Sequence, residues 1–157
     1  MKNPSRRFIL SSALLVLALS GGGVLAHHGV TGQYDMSTPI VIGGMVTRTT
    51  FAPPHPIVTV RVEQTDIPPG NLDRPDEFRG EFVVRPEDIG QDREVELSPV
   101  RTFYDLADRV RVGDRVLIVA LRNCLAPNQL RSSWIRLADG DVVSYVGGLH
   151  RRVDGCN

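Results

Sequence analysis

The sequence predicts an all-β protein. Runs of β-branched residues alternate with polar ones, proline, glycine and aspartate separate the runs, and a single stretch carries apolar residues at helical spacing. In order, the elements read strand, strand, strand, short helix, strand, strand. This order suits a small five-stranded barrel of the oligonucleotide/oligosaccharide-binding type, in which a helix commonly lies between the third and fourth strands.

From Pro39, I-V-I-G-G-M-V-T-R-T-T-F alternates around Gly43 and Gly44, a pair suited to a bulge or sharp bend in a curved strand. A-P-P-H-P then stops the run, because three prolines around one histidine cannot sit in a central strand. Ile57 to Gln64 alternates again, with Val58, Val60 and Val62 on one face, and reads as a half-buried strand. Thr65 to Glu77 is rich in proline, glycine and aspartate and reads as an exposed loop. A third strand is expected near F-R-G-E-F-V-V-R (Phe78 to Arg85), with R-E-V-E-L continuing or re-entering the sheet.

Phe103, Leu106, Ala107 and Val110 share one helical face, so Phe103 to Val110 is the expected helix. V-G-D then turns into R-V-L-I-V-A-L-R-N, whose continuous apolar run marks the most central strand. S-S-W-I-R-L-A and D-V-V-S-Y-V complete the set, joined at the hairpin turn Asp139-Gly140.

The first 26 residues are read separately. Lys2, Arg6 and Arg7 precede the apolar Phe8 to Leu19, and V-L-A ends the segment, which is the three-part form of a secretory signal cleaved after Ala26. The apolar core is shorter than the roughly 20 residues a spanning helix needs, so no membrane span is expected after cleavage. S-R-R-F-I-L also resembles a twin-arginine export signal. Residues 27–157 then form a single β-barrel domain, periplasmic or secreted.

The chain of 157 residues is formally neutral, with 18 basic and 18 acidic side chains and 41% hydrophobic residues. Cleavage removes three basic residues and no acidic one, leaving a net charge of −3. No polybasic stripe remains, which argues against nucleic acid as a partner. Both cysteines, Cys124 and Cys156, stay in the exported part. An even count there predicts a disulfide, and their wide separation without C-x-x-C argues against a thiolate metal pair.

Four histidines occur: His27, His28, His55 and His150. If the mature chain begins at His27, its α-amine and imidazole form a chelate, and a second imidazole completes three nitrogen donors in a plane. This histidine brace suits tetragonal copper(II). His55 is the expected second imidazole because the prolines around it fix its loop, and His28 is an auxiliary ligand. His150 is a weaker candidate because Arg151 and Arg152 follow it and repel a bound cation. Asp35 is a candidate acceptor for an imidazole N–H.

A-H-H (Ala26 to His28), Y-D (Tyr34, Asp35), G-M-V-T (Gly44 to Thr47), F-A-P-P-H (Phe51 to His55), V-G-D (Val112 to Asp114) and L-A-D-G (Leu137 to Gly140) run through the whole mature chain. Together they resemble a family of small exported bacterial proteins of unknown function, with A-H-H at the cleavage site and an internal N-P-H motif. Pro54 and His55 match that motif, whereas Phe51 stands for the family's tryptophan, Pro53 for its asparagine, and Gly29-Val30 for its serine and phenylalanine. The resemblance implies a β-rich barrel and an exported location, and implies no activity.

Two functions therefore follow from the sequence. The first is a periplasmic copper-binding protein, a chaperone or sequestering module, with His27 and His55 as principal ligands. The alternative is a non-metal binding module that meets an unidentified envelope protein through its loops. No nucleophile elbow, phosphate loop or paired acid and base is legible, so an enzyme is not predicted.

Overall fold

A computed structural model of the chain describes residues 32–68, 72, 78, 80–147 and 151–156. The expected signal peptide, its cleavage position, His27, His28 and His150 lie outside the described residues. Among those described, eight strands and one short α-helix make an all-β fold, and no helix is long and apolar enough to cross a membrane.

The first strand, β1 (Gln33–Thr50), begins six residues before the expected start at Pro39 and is the longest. β2 (Ile57–Val62) pairs antiparallel with its second half, and β3 (Asp92–Leu97) pairs antiparallel with β2. The helix α1 (Arg101–Tyr104) continues as a 3-10 turn over Asp105–Asp108. β4 (Arg115–Asn123) pairs antiparallel with the first half of β1, and β5 (Leu130–Ser132) lies antiparallel to β4 and parallel to β3. The pairings thus run β1–β2–β3–β5–β4 and back to β1. Beyond this circuit, β6 (Trp134–Arg136) and β7 (Val142–Ser144) extend from β4, and β8 (Arg151–Val153) runs parallel to the start of β1.

Three sequence expectations are corrected. The run from Phe78 to Arg85 is no strand: a lone bridge joins Val83 to Ile40, and the third strand is the later D-R-E-V-E-L. The hydrophobic match there was real, but Phe82 and Val84 pack against a core cluster as partly buried side chains rather than through a ladder. The helix starts two residues earlier than expected and turns 3-10 midway, though Phe103, Leu106 and Val110 are buried as its spacing required. The loop at Thr65 to Glu77 is not simply exposed, since Leu72 is 1% exposed and packs with Phe78.

Alternation along β4 explains its unbroken apolar run. Val116, Ile118 and Ala120 enter a core cluster fed by every strand of the circuit and by α1, and Leu117, Val119 and Leu121 enter a second cluster with Tyr34, Trp134, Leu72 and Phe78. Both faces of the strand are buried.

β1 can serve β2 and β4 together because it bends at its glycine pair. A Cβ on Gly44, whose φ is 155°, would come within 2.0 Å of Arg61 O. Glu63 and Gln64 N–H donate to Gly43 O at the same bend.

At the other end, Cys124 and Cys156 form a disulfide, as expected. Cys124 N–H donates to Gln33 O at 2.7 Å, so the bridge joins the C-terminal tail to the β1–β4 junction. Asp35, 4% exposed, holds the same tail by accepting Gly155 N–H at 3.1 Å. Burial pushes the Asp35 carboxyl up, but hydrogen bonds from the Ser37 hydroxyl and N–H, from Gly155 and from Thr38 outweigh it and hold the group below its usual value. Among the described residues Asp35 therefore clasps the C-terminal tail, and three of the four histidines that could meet it lie outside the described residues.

Gly44→Ala is expected to cost about 3 kcal/mol or more, the range of a backbone clash that nothing nearby can relieve. Gly140→Ala, at φ 92° with open space around it, should cost only about 1–2 kcal/mol. Urea denaturation of the two variants measures the difference. Replacing both cysteines by serine opens a loop of 32 residues and should cost about 3–4 kcal/mol by the same measurement.

Candidate functional site

The site grows out of the alternation in β3. In D-R-E-V-E-L, Val95 and Leu97 turn inward to the core, which puts Asp92, Glu94 and Glu96 together on the opposite face. Each carboxylate meets an arginine: Asp92 meets Arg61 at 2.6 Å, Glu94 meets Arg48 at 2.9 Å, and Glu96 meets Arg131 at 3.3 Å. The first two pairs are solvent-exposed and contribute little to stability. The third is buried.

Glu96 is 5% and Arg131 1% exposed. Gln129 Nε2 donates to Glu96 Oε2, and the Arg131 guanidinium lies 6.0 Å from the centre of the Tyr34 ring. Burial raises the Tyr34 hydroxyl above its usual value, while Arg131 and Asn123 pull it down less strongly. A buried chain of polar groups thus runs from β1 through β5 to β3.

His55 completes the chain. Its loop breaks between β1 and β2, as the prolines required, and the Tyr104 hydroxyl of α1 fixes it by donating to Pro54 O at 2.9 Å. The ring is 8% exposed, and its Nδ1 lies 3.2 Å from Glu96 Oε1. Burial, and then the charge of Arg131, push the imidazole pKa below its usual value and so favour the neutral ring. Carboxylates are common neighbours of metal-bound histidines.

His55 and Glu96 stand at one end of a cleft of about 590 Å³. Pro54, Ile57, Pro127 and Leu130 give it apolar walls, and Asn128, Gln129 and the outward residues of β3 give it polar ones. Among the described residues, no three histidine, cysteine or carboxylate side chains converge as a complete metal site. His55 is the one expected ligand whose position is described.

Sequence reasoning had not found Glu96, Gln129, Arg131 or Tyr34. The D-x-E-x-E spacing in β3 was the available signal, because on a strand it sets three acids on one face. Arg131 had no comparable signal, since its partners come from distant parts of the chain.

Residues 15–69 match a family of unknown function, DUF6152. The chain is similar to an uncharacterised family. The matching segment takes in β1, β2 and His55, along with His27 and His28. No curated protein matches the chain.

Removing the carboxylate with Glu96→Ala leaves the buried Arg131 charge without its ion-pair partner and is expected to cost about 3–5 kcal/mol, read from urea denaturation. The pH dependence of His55 has a definite sign. Its folded pKa is depressed, so below about pH 6.5 the unfolded chain takes up a proton that the folded chain refuses, and stability falls with pH until the folded value is reached. His55→Gln should therefore show less loss of stability between pH 7.5 and pH 5.5 than the parent.

Proposed function

We propose that the mature protein is an exported copper-binding protein in which His55 supplies the internal imidazole and His27 the amino-terminal chelate, with His28 auxiliary. The observation that carries this reading is the buried His55 ring, its Nδ1 3.2 Å from the Glu96 carboxylate, on the wall of a cleft. A ring favoured in its neutral form needs no proton removed before it donates to a metal, and the Tyr104 bond to Pro54 O holds its loop.

The position of the chain entry supports the same reading. Gly32 lies against the Asn123 side chain, Asn123 N–H donates to Gln129 O at 2.8 Å, and Gln129 lines the cleft. Two strand spacings, about 10 Å, therefore separate the start of β1 from the cleft wall. The five residues from His27 to Thr31 span up to about 17 Å when extended. Copper, when bound, would supply a tetragonal centre. The protein's own part is to hold the imidazole neutral and oriented beside Glu96.

The test begins with the intact mass of the exported protein, which should correspond to a chain starting at His27. Copper(II) titration then compares this chain with one carrying an added amino-terminal alanine and with His55→Ala. Each change is expected to weaken binding at least tenfold. Equal affinity in all three, or cleavage at another position, overturns the brace.

A further inference from the structure

The half of β3 that lines the cleft has a hydrogen-bonding edge unpaired among the described residues. Leu97 N–H donates to Pro56 O at 2.8 Å and Val62 N–H donates to Gln91 O at 2.9 Å, so the odd-numbered residues of this segment turn their main-chain groups toward β2. The even-numbered ones turn the other way. Ser98 N–H accordingly donates to Ser132 O of β5 at 3.0 Å.

β5, however, takes up this side of β3 only from the pairing of Val95 with Leu130 onward. Ahead of Leu130 the chain leaves the ladder. Asn128 adopts φ 62°, its N–H donates to Leu125 O at 2.8 Å, and its Nδ2 donates to Asn123 O at 3.0 Å. The two chains splay apart and the cleft opens between them, with Asp92 and Glu94 on one side and Asn128 on the other. Glu94 N–H and Asp92 C=O point the same way into this gap, with no main-chain partner among the described residues.

We propose that the cleft is a docking site for an extended peptide segment of another polypeptide, which enters in line with β5 and adds to β3 through Glu94 N–H and Asp92 C=O. One residue of an extended main chain presents its C=O and N–H on the same side, which is the complement of this pair. The volume of about 590 Å³ accommodates a few residues. Pro127 and Ile57 offer apolar contacts, and since Arg61 and Arg48 already neutralise Asp92 and Glu94, the fitting segment is uncharged and rich in β-branched residues. This site does not depend on copper.

The test uses the mature protein freed of metal by chelation, with the blocked peptide acetyl-Val-Thr-Val-amide as the probe. Saturable movement of the Glu94 amide resonance, with at least tenfold slower hydrogen exchange there, is expected. The same peptide methylated on its backbone nitrogens should lose at least tenfold in affinity. Glu94→Pro removes the donor without breaking a ladder bond and should weaken binding equally; if that variant does not fold, the methylated peptide decides alone. Equal binding of the methylated peptide, or no response at Glu94, overturns the proposal. So does a Glu94 amide already protected in the free mature protein, which would mean that the chain's own residues fill the edge.

Discussion

The bend of β1 at Gly44 is the constraint on which the other pairings rest. One continuous strand has β4 as its partner over its first half and β2 over its second, with β8 beside its start. Only a residue without a side chain fits against Arg61 O at that point. Straighten β1 there and the circuit opens, since β4 and β2 could no longer share it. The core cluster drawn from all five strands would then lose its enclosure.

With the circuit closed, the outward faces of β3 and β5 come together. Their parallel pairing sets Glu96 opposite Arg131, and the rest of the buried polar chain follows from that register. A buried ion pair of this kind is costly to desolvate, and replacing it with apolar residues often leaves stability unchanged or higher. Its consequence for this protein is positional: it places Glu96 beside His55 and, through Gln129, joins that contact to the loop between β4 and β5. The disulfide anchors the same loop at Cys124 and the C-terminal tail at Cys156. Chain entry, tail and cleft wall are thereby fastened to one another around the end of β4.

The cleft brings two chemically different features together in a small volume. At one end stands the buried imidazole, and along the other runs a short stretch of main chain unpaired among the described residues. Their chemistries differ, because the first carries ring nitrogens and the second a main-chain donor and acceptor, which is why the copper and peptide proposals fall on different parts of the cleft. Both exist because irregular segments rich in proline and asparagine, at residues 53–56 and 126–129, interrupt strands that would otherwise continue. Function on a β scaffold commonly sits where regular pairing stops.

Much of the fold was legible in the sequence because local patterns decide it. Alternation identified β2, an unbroken apolar run identified β4, the proline cluster placed the break around His55, helical spacing found the face of α1, and the even cysteine count pointed to the disulfide. The run at Phe78 misled because apolar alternation records burial, and burial reached through loop packing looks the same as burial in a strand. At the site, sequence singled out His55 from its fixed loop. Only tertiary structure could supply Glu96, Arg131 and Tyr34 as its surroundings, for these come from three strands far apart in the chain. Pairing register, which depends on how all the strands close together, decided that juxtaposition and the open edge beside it.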